Sequence, residues 1–255
     1  MNAFNNIVGE LEKQGVALSM IEISSVRSWM DRDGEPACQS LLSQHELSCM
    51  KSMRILKRRL DFFSGRIAGK YAVRRLMDAD RSAGPVKQDL WFANIDIRRT
   101  RTGAPRLFLC NSPGCVRVSI SHSPFFAASA VCGREDYRGI GIDLEKIDHR
   151  DESLLAVAFR ESEIRAIGER AKKKGWSFDE PVTRYWSMKE AALKSMGIGL
   201  NVDLKDIGIV EEAGGGVRFM FENEARKRFS ELGAHRIEVK SYTVNDHVLS
   251  VACLH

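Results

Sequence analysis

The sequence YRGIGIDLEKI, residues 137–147, carries the pattern that decides the fold of the second half of the chain. Its alternation predicts a strand with Ile142 and Leu144 on one face and Asp143 and Glu145 on the other. Two carboxylates crowded on one face repel each other unless a cation lies between them. Oxygen ligands of this kind suit Mg²⁺, and the alternative interpretation is a charged strand face exposed to water.

The second chemical motif is WSMKEAALK, residues 186–194, inside a helix predicted over residues 179–196 and ended by Gly197. Glu190 and Lys194 are four residues apart and therefore share a helix face. A carboxylate beside a lysine suits a base or metal ligand next to a phosphate-binding cation. The alternative is a surface ion pair worth only about 0.3–0.5 kcal/mol.

The third motif is SISHS, residues 119–123, at the end of a predicted strand. The strand is followed by FFAASAVCG, residues 125–133, which favours a hairpin. Ser121 and His122 offer hydrogen-bond donors to a phosphate at this strand end. A lone histidine is more often a structural residue, so the motif by itself is weak.

A basic segment precedes these motifs. Residues 51–75 contain nine Lys or Arg and one Asp. Such a segment attracts phosphates or an acidic partner, although a solvated helix face is the alternative. The pattern from residue 41 to 77 is helical, with a break predicted near Ser64 and Gly65.

The order of predicted elements is helices then strands, followed again by helices then strands. This order indicates an α+β fold of two halves that join near residues 134–139. The 255 residues are 44% hydrophobic and 29% charged with a formal charge of +5, which is typical of a soluble globular protein. No CxxC pair, signal peptide or membrane-spanning apolar run is present in the sequence, so we expect neither a zinc site nor a redox motif and predict a cytoplasmic protein.

In this order, SISHS, GIGIDLEK and WSMKEAALK resemble the motifs of the Sfp-type 4′-phosphopantetheinyl transferases. The resemblance covers Ser119 to Gly199 well and extends weakly to GRIAGKYAVR, residues 65–74. It implies a pseudo-duplicated fold of two similar α/β lobes with mainly antiparallel sheets. Residues 1–136 would form the lobe that binds coenzyme A, and residues 137–255 would carry the magnesium-binding and catalytic residues.

The resemblance implies transfer of 4′-phosphopantetheine from coenzyme A to a serine of an acidic acyl or peptidyl carrier protein, with release of 3′,5′-ADP. The magnesium ligands and catalytic residues would be Asp143, Glu145 and Glu190, with Glu190 also acting as the base. The expected partners are coenzyme A and the carrier, with no nucleic acid or membrane, and the protein is expected to be a monomer. The residues expected to contact coenzyme A are Arg66, Ser121, His122, Lys194 and Arg106.

One position departs from the family pattern. Relatives often have a coenzyme A-binding lysine where this chain has Ala104, between Gly103 and Pro105. Arg106 or Arg101 would have to compensate. Two other functions use the same features: a magnesium-dependent phosphodiesterase or nuclease, and a non-enzymatic nucleic-acid- or partner-binding protein built on residues 51–75. Neither explains the order of the three motifs, and the second predicts no metal dependence.

Overall fold

A computed structural model of the chain describes residues 2–79, 92–199, 202–211 and 216–255. The chain forms two compact units, residues 1–136 and residues 137–255. Both units combine helices with antiparallel sheets, which confirms the predicted α+β class. Within the described ranges, every helix is too short or too polar to cross a lipid bilayer.

The first unit alternates helical and extended segments. Its described helices are α1 (Asn2–Glu12), α2 (Ile23–Leu41), α3 (Gln44–Ser52) and α4 (Leu56–Ala79). Its described strands are β1 (Val16–Glu22), β2 (Ile95–Arg99), β3 (Pro105–Leu109), β4 (Ser112–Pro113), β5 (Val116–His122) and β6 (Phe126–Gly133).

The main sheet of the first unit has the order β1-β6-β5, and all its strand pairs are antiparallel. Strands β5 and β6 form the predicted hairpin, in which Ser121 lies opposite Ala128. Helix α4 packs across this sheet and buries Phe63, Ala68 and Ala72. A smaller antiparallel sheet, β2-β3-β4, lies later in the same unit.

The predicted break at Ser64 and Gly65 is wrong, because α4 continues through both residues. The helical segments are instead separated at residues 42–43 and 53–55. Gly65 is needed for packing, since a Cβ there would lie 2.4 Å from the Nε2 atom of His122. Glycine therefore lets β5 approach the helix, at a cost in helix propensity of about 1 kcal/mol relative to alanine.

The second unit begins with a strand and contains every remaining element. Its described helices are α5 (Glu152–Ala158), α6 (Glu161–Lys174), α7 (Asp179–Met196) and α8 (Asn223–Glu231). Its described strands are β7 (Gly139–Lys146), β8 (Ile207–Glu211), β9 (Val217–Phe221), β10 (Ile237–Val244) and β11 (His247–Leu254).

Helix α7 occupies the predicted residues 179–196 and packs on the antiparallel sheet β10-β11-β7. It ends at Gly197, whose φ of +69° favours glycine and closes the helix. Tyr185, Met188 and Leu193 lie in an apolar core that α7 shares with α6 and β8. Fully burying each such large apolar side chain contributes about 1.5–3 kcal/mol, so this core fixes the rotation of α7 about its axis.

The two units share one plan. Among the described elements, each unit has a strand followed by three helices and, later, a short 3₁₀ turn, at residues 92–94 in the first unit and 204–206 in the second, although α1 precedes the strand of the first unit. The hairpin β2–β3 of the first unit, extended by β4, corresponds to the hairpin β8–β9 of the second unit, which α8 follows. A second hairpin ends each unit, and the strand orders β1-β6-β5 and β7-β11-β10 correspond. The predicted similarity of the two halves is thus a property of their topology.

Candidate active site

Strand β7 brings two carboxylates to the helix α7. Ile142 and Leu144 are fully buried in the apolar interior of the unit. Asp143 is 1% exposed, whereas the side chain of Glu145, nearer the end of the strand, is 25% exposed. Because the strand alternates as predicted, both acidic side chains are available to the same neighbouring helix.

The approach of β7 to α7 depends on two glycines. A Cβ at Gly139 would lie 2.0 Å from the carbonyl oxygen of Ser195, and a Cβ at Gly141 would lie 1.9 Å from that of Ala191. Both obstacles are helix backbone, which cannot turn aside as a flexible side chain does. Any larger residue would therefore push the strand and the helix apart, together with the acidic groups they carry.

Helix α7 supplies a third carboxylate to the same place. Asp143, Glu145 and Glu190 each present a carboxylate oxygen, and these three oxygens lie within 4.8 Å of one another. Asp143 and Glu145 are separated from Glu190 by more than forty residues in sequence. Only the packing of β7 against α7 turns two separate motifs into one acidic cluster.

Two cations balance this cluster. The Nζ atom of Lys194 lies 2.6 Å from Asp143 Oδ1 and 3.5 Å from Glu190 Oε2. The Nη2 group of Arg150 donates a hydrogen bond of 2.6 Å to Glu145 Oε2. The expected pair of Glu190 and Lys194 is present, but the nearer partner of Lys194 is Asp143.

Arg150 is a site residue that the sequence did not indicate. It lies beyond the end of β7, where the strand period no longer specifies a direction for a side chain. No spacing rule connects it to Glu145, five residues earlier, because residues 147–150 are neither helix nor strand. Only the three-dimensional structure brings its guanidinium to the cluster.

Burial and crowding change the proton affinities of the cluster. Burial first, and then the negative charge of Asp143, raise the pKa of Glu190 to about 7. The same two causes raise the pKa of Glu145, although Arg150 opposes them. Burial disfavours the charged form of Lys194, but the neighbouring carboxylates outweigh it, so the pKa of Lys194 is raised and the lysine stays charged.

This donor set fits a hard divalent cation. All three candidate ligand atoms are carboxylate oxygens, which Mg²⁺ prefers, and no sulfur or imidazole belongs to the cluster among the described residues. A cation between the carboxylates would also relieve the repulsion that raises the pKa of Glu190. Asp143, Glu145 and Glu190 are thus suitable magnesium ligands, and the bound ion stays a prediction.

The predicted coenzyme A contacts of the first unit lie on two elements. Ser121 is buried on β5, and His122 is half-buried at the end of that strand with its ring against Gly65 of α4. Arg66 is the next residue of α4, is 5% exposed, and has its Nε atom 3.5 Å from Glu46 Oε1. Its ion pair with Glu46 is a role inside the protein, and a contact with coenzyme A stays a prediction.

The turn that carries Ala104 joins β2 to β3. Gly103 has a φ of +86° and donates its N–H to the carbonyl of Thr100, so this segment is the predicted turn. Ala104 is partly buried, whereas Arg106 is exposed on β3 with its guanidinium 5.6 Å from the ring centre of Phe108. Arg106 is therefore accessible to a ligand, and its role in binding coenzyme A stays a prediction.

Comparison with known proteins found a family model that matches most of the second unit. Residues 139–252 match the family model described as the 4′-phosphopantetheinyl transferase superfamily. The match begins at Gly139, on β7, and ends within β11, so it contains the whole acidic cluster and both of its balancing cations.

Two curated relatives carry related names. The chain is 28% identical over 150 residues to the L-aminoadipate-semialdehyde dehydrogenase-phosphopantetheinyl transferase of Xenopus laevis. The aligned region covers 55% of this chain and 46% of the relative. It is 27% identical over 120 residues to the holo-[acyl-carrier-protein] synthase of Enterococcus faecalis, and that aligned region covers 46% of this chain and 94% of the synthase. This chain thus spans less than half the length of the frog relative.

A solved structure resembles part of the chain. It is a holo-(acyl-carrier-protein) synthase from Bacillus anthracis in complex with CoA (3′,5′-ADP), and it is 25% identical in sequence. The similarity covers 46% of this chain and 92% of that protein, with a TM-score of 0.37.

Proposed function

We propose that this chain transfers the 4′-phosphopantetheine group from coenzyme A to a serine of an apo acyl or peptidyl carrier protein, because residues 139–252 match the family model of the 4′-phosphopantetheinyl transferase superfamily. The observation that supports it most directly is the cluster of Asp143, Glu145 and Glu190 beside Lys194. Three carboxylates and a partly buried lysine suit a reaction on a pyrophosphate that a metal ion would hold.

The chemistry requires an alcohol to attack a phosphorus atom that already carries negative charge. The serine Oγ forms a bond to the β-phosphorus of coenzyme A, the bond from that phosphorus to the bridging oxygen breaks, and 3′,5′-ADP leaves. When bound, magnesium neutralises charge on the pyrophosphate. Asp143, Glu145 and Glu190 would hold that ion at the edge of β7.

The residues of this chain supply positioning, charge and a proton acceptor. Glu190 takes the serine proton, directly or through water, as the general base. Lys194 is charged and places its ammonium next to the cluster, where it would meet a phosphate oxygen of coenzyme A. Arg150 restrains Glu145 through its 2.6 Å hydrogen bond.

The finer assignment is to the two-lobed Sfp type. Two observations support it. The match to the frog transferase covers 55% of the chain, more than residues 137–255 alone. The first unit also repeats the topology of the second, as a two-lobed enzyme requires. Coenzyme A contacts by Arg66, Ser121, His122, Lys194 and Arg106, an acidic carrier partner, a monomeric state and a cytoplasmic location belong to the same proposal.

The test is transfer to an apo-carrier in the presence of coenzyme A and Mg²⁺, followed by intact-protein mass spectrometry. The expected product is a carrier heavier by one phosphopantetheine arm. Glu145→Gln should abolish transfer, while Glu169→Gln, which removes an exposed carboxylate of α6 away from the cluster, should not. A carrier that stays unmodified under all conditions would refute the proposed transfer, and full activity in excess chelator would refute the role of magnesium.

A further inference from the structure

Two buried charged side chains of the second unit take no part in the proposed reaction. Glu163, at the start of α6, is 4% exposed, and Lys189, on α7, is fully buried. The Nζ atom of Lys189 lies 2.9 Å from Glu163 Oε2. The same ammonium donates to the carbonyl of Ala158 at 2.9 Å and to that of Leu204 at 3.2 Å, so all three of its protons have acceptors.

Both oxygens of the carboxylate of this pair also accept hydrogen bonds from the backbone. Glu163 Oε2 accepts the backbone N–H of Arg160 at 3.0 Å, at the N-terminus of α6. Its other oxygen, Oε1, accepts the backbone N–H of Ile209 on β8 at 3.0 Å. The pair of Glu163 and Lys189, named here the second clamp, thus joins the end of α5, the start of α6, the 3₁₀ turn at residues 204–206, strand β8 and helix α7.

The first unit contains the same device, named here the first clamp. Glu46 on α3 and Lys70 on α4 are both fully buried, and Lys70 Nζ lies 2.5 Å from Glu46 Oε2. Lys70 also donates to the carbonyls of Leu41 at 2.7 Å and Phe92 at 2.8 Å. Glu46 Oε1 accepts the backbone N–H of Ile97 at 2.9 Å.

The two clamps agree in sequence spacing as well as in bonding. In both units the first carbonyl acceptor of the lysine belongs to the last residue of the helix that precedes the glutamate. The glutamate lies five residues after that acceptor. In both units the second carbonyl acceptor of the lysine lies in the 3₁₀ turn. The strand residue whose N–H binds the glutamate follows that acceptor by five residues. The clamp is therefore a shared part of the duplicated plan, and a shared structural function explains its presence in both units.

The residue after the clamp lysine differs between the units. Lys189 precedes Glu190, a candidate metal ligand, whereas Lys70 precedes Tyr71, whose side chain is exposed. Successive residues of a helix point about 100° apart, so the direction in which Lys189 is held determines the direction of Glu190. Its rigid coordination to a carboxylate and two carbonyls fixes both the rotation and the axial position of α7 at this residue.

We propose that Glu163 and Lys189 are positioning residues that hold Glu190 at the distance from Asp143 and Glu145 that a divalent cation requires. The inference deepens the proposed function and rests on its metal site. Residues that orient a metal ligand matter for metal binding, because they fix the direction of that ligand. Replacing such a residue commonly weakens metal affinity by about 10–100-fold. The second clamp acts in this way through the backbone of α7.

The first clamp provides a matched control. Lys189→Met and Lys70→Met each remove one ammonium from an equally buried pair and leave one buried carboxylate behind, so both should lower the stability of the protein. Isothermal titration with Mg²⁺ is then carried out at a temperature at which circular dichroism shows every variant to be folded. We expect Lys189→Met to weaken Mg²⁺ binding by about tenfold or more and Lys70→Met to leave it within about twofold of native.

Glu163→Gln and Glu46→Gln form a second matched pair in case the lysine variants do not fold, because glutamine keeps the volume and still accepts a hydrogen bond. Glu163→Gln should weaken Mg²⁺ binding and Glu46→Gln should not. Equal losses in both units, or native affinity in Lys189→Met and Glu163→Gln, would overturn the positioning role. A native protein that does not bind Mg²⁺ would instead refute the metal site of the proposed function, so the two failures are distinguishable.

Discussion

Replacing Glu190 with glutamine should stabilise the metal-free protein and abolish its response to magnesium. The pKa of Glu190 is raised from 4.5 to about 7, and each pKa unit corresponds to about 1.36 kcal/mol. Keeping Glu190 ionised in the folded protein without a metal therefore costs on the order of 3 kcal/mol above pH 7. Its side chain is only 13% exposed, so solvent screens little of this cost.

The sign of the pH dependence is set by the direction of the shift. The folded protein holds the proton of Glu190 more tightly than the unfolded chain does. Its contribution to stability is thus fully present below about pH 4.5 and is lost as the pH rises through about 7. Glutamine resembles the protonated acid, so Glu190→Gln should match native stability near pH 4.5 and exceed it by about 2–3 kcal/mol at pH 8.

Urea unfolding in excess chelator, followed by circular dichroism at both pH values, measures this difference. Glu169→Gln, an exposed substitution on α6, is the control and should behave as the native protein does at both. Adding Mg²⁺ at about 100 times its dissociation constant should stabilise the native protein at pH 8 by about 2.7 kcal/mol and leave Glu190→Gln unchanged. If native protein and Glu190→Gln show the same pH dependence, the crowding of the cluster does not destabilise the folded state and the explanation is wrong.

Three further perturbations probe the strand–helix contact, the β2–β3 turn and the carrier. Gly141→Ala should separate β7 from α7 and cost several-fold or more in Mg²⁺ affinity by calorimetry, because its Cβ would lie 1.9 Å from a helix carbonyl, whereas Gly168→Ala, with no atom closer than 4.0 Å, should bind normally. Arg106→Ala should weaken coenzyme A binding more than Arg101→Ala, and Ala104→Lys should tighten it by on the order of 1 kcal/mol; unchanged dissociation constants for Arg106→Ala and Ala104→Lys would show that this turn does not meet coenzyme A. The Michaelis constant for an acidic carrier should rise with salt, since charge attraction is screened, and a salt-independent value would remove the electrostatic part of the partner hypothesis.

The chemical motifs of the second unit were largely determined by local sequence. Alternation along β7 is enough to place Asp143 and Glu145 together, because successive side chains of a strand point to opposite faces. The limits of α7 are set by its helical pattern and by Gly197, whose positive φ ends the helix at little steric cost. Glu190 and Lys194 share a face for the same local reason.

Local sequence was a poorer guide where a residue serves a neighbour distant in the chain. Gly65 resembles a helix breaker in the sequence, yet α4 continues through it because β5 needs the space. Lys189 resembles a solvated or structural lysine, and only the fold shows that it is fully buried between a carboxylate and two carbonyls. No sequence pattern indicates Arg150 as a site residue. Its guanidinium meets Glu145 only because the chain beyond β7 turns back toward that carboxylate.

By itself, the sequence determined which side chains of each element point the same way, because that depends on the period of a strand or a helix. It also determined the order of the three motifs, and with it the resemblance to a family. Tertiary structure alone decided the distance between Asp143 and Glu190, the pairing of Lys194 with Asp143, and the pKa of about 7 at Glu190. These properties depend on burial and on charges brought together from separate elements, and both arise only when β7 packs against α7.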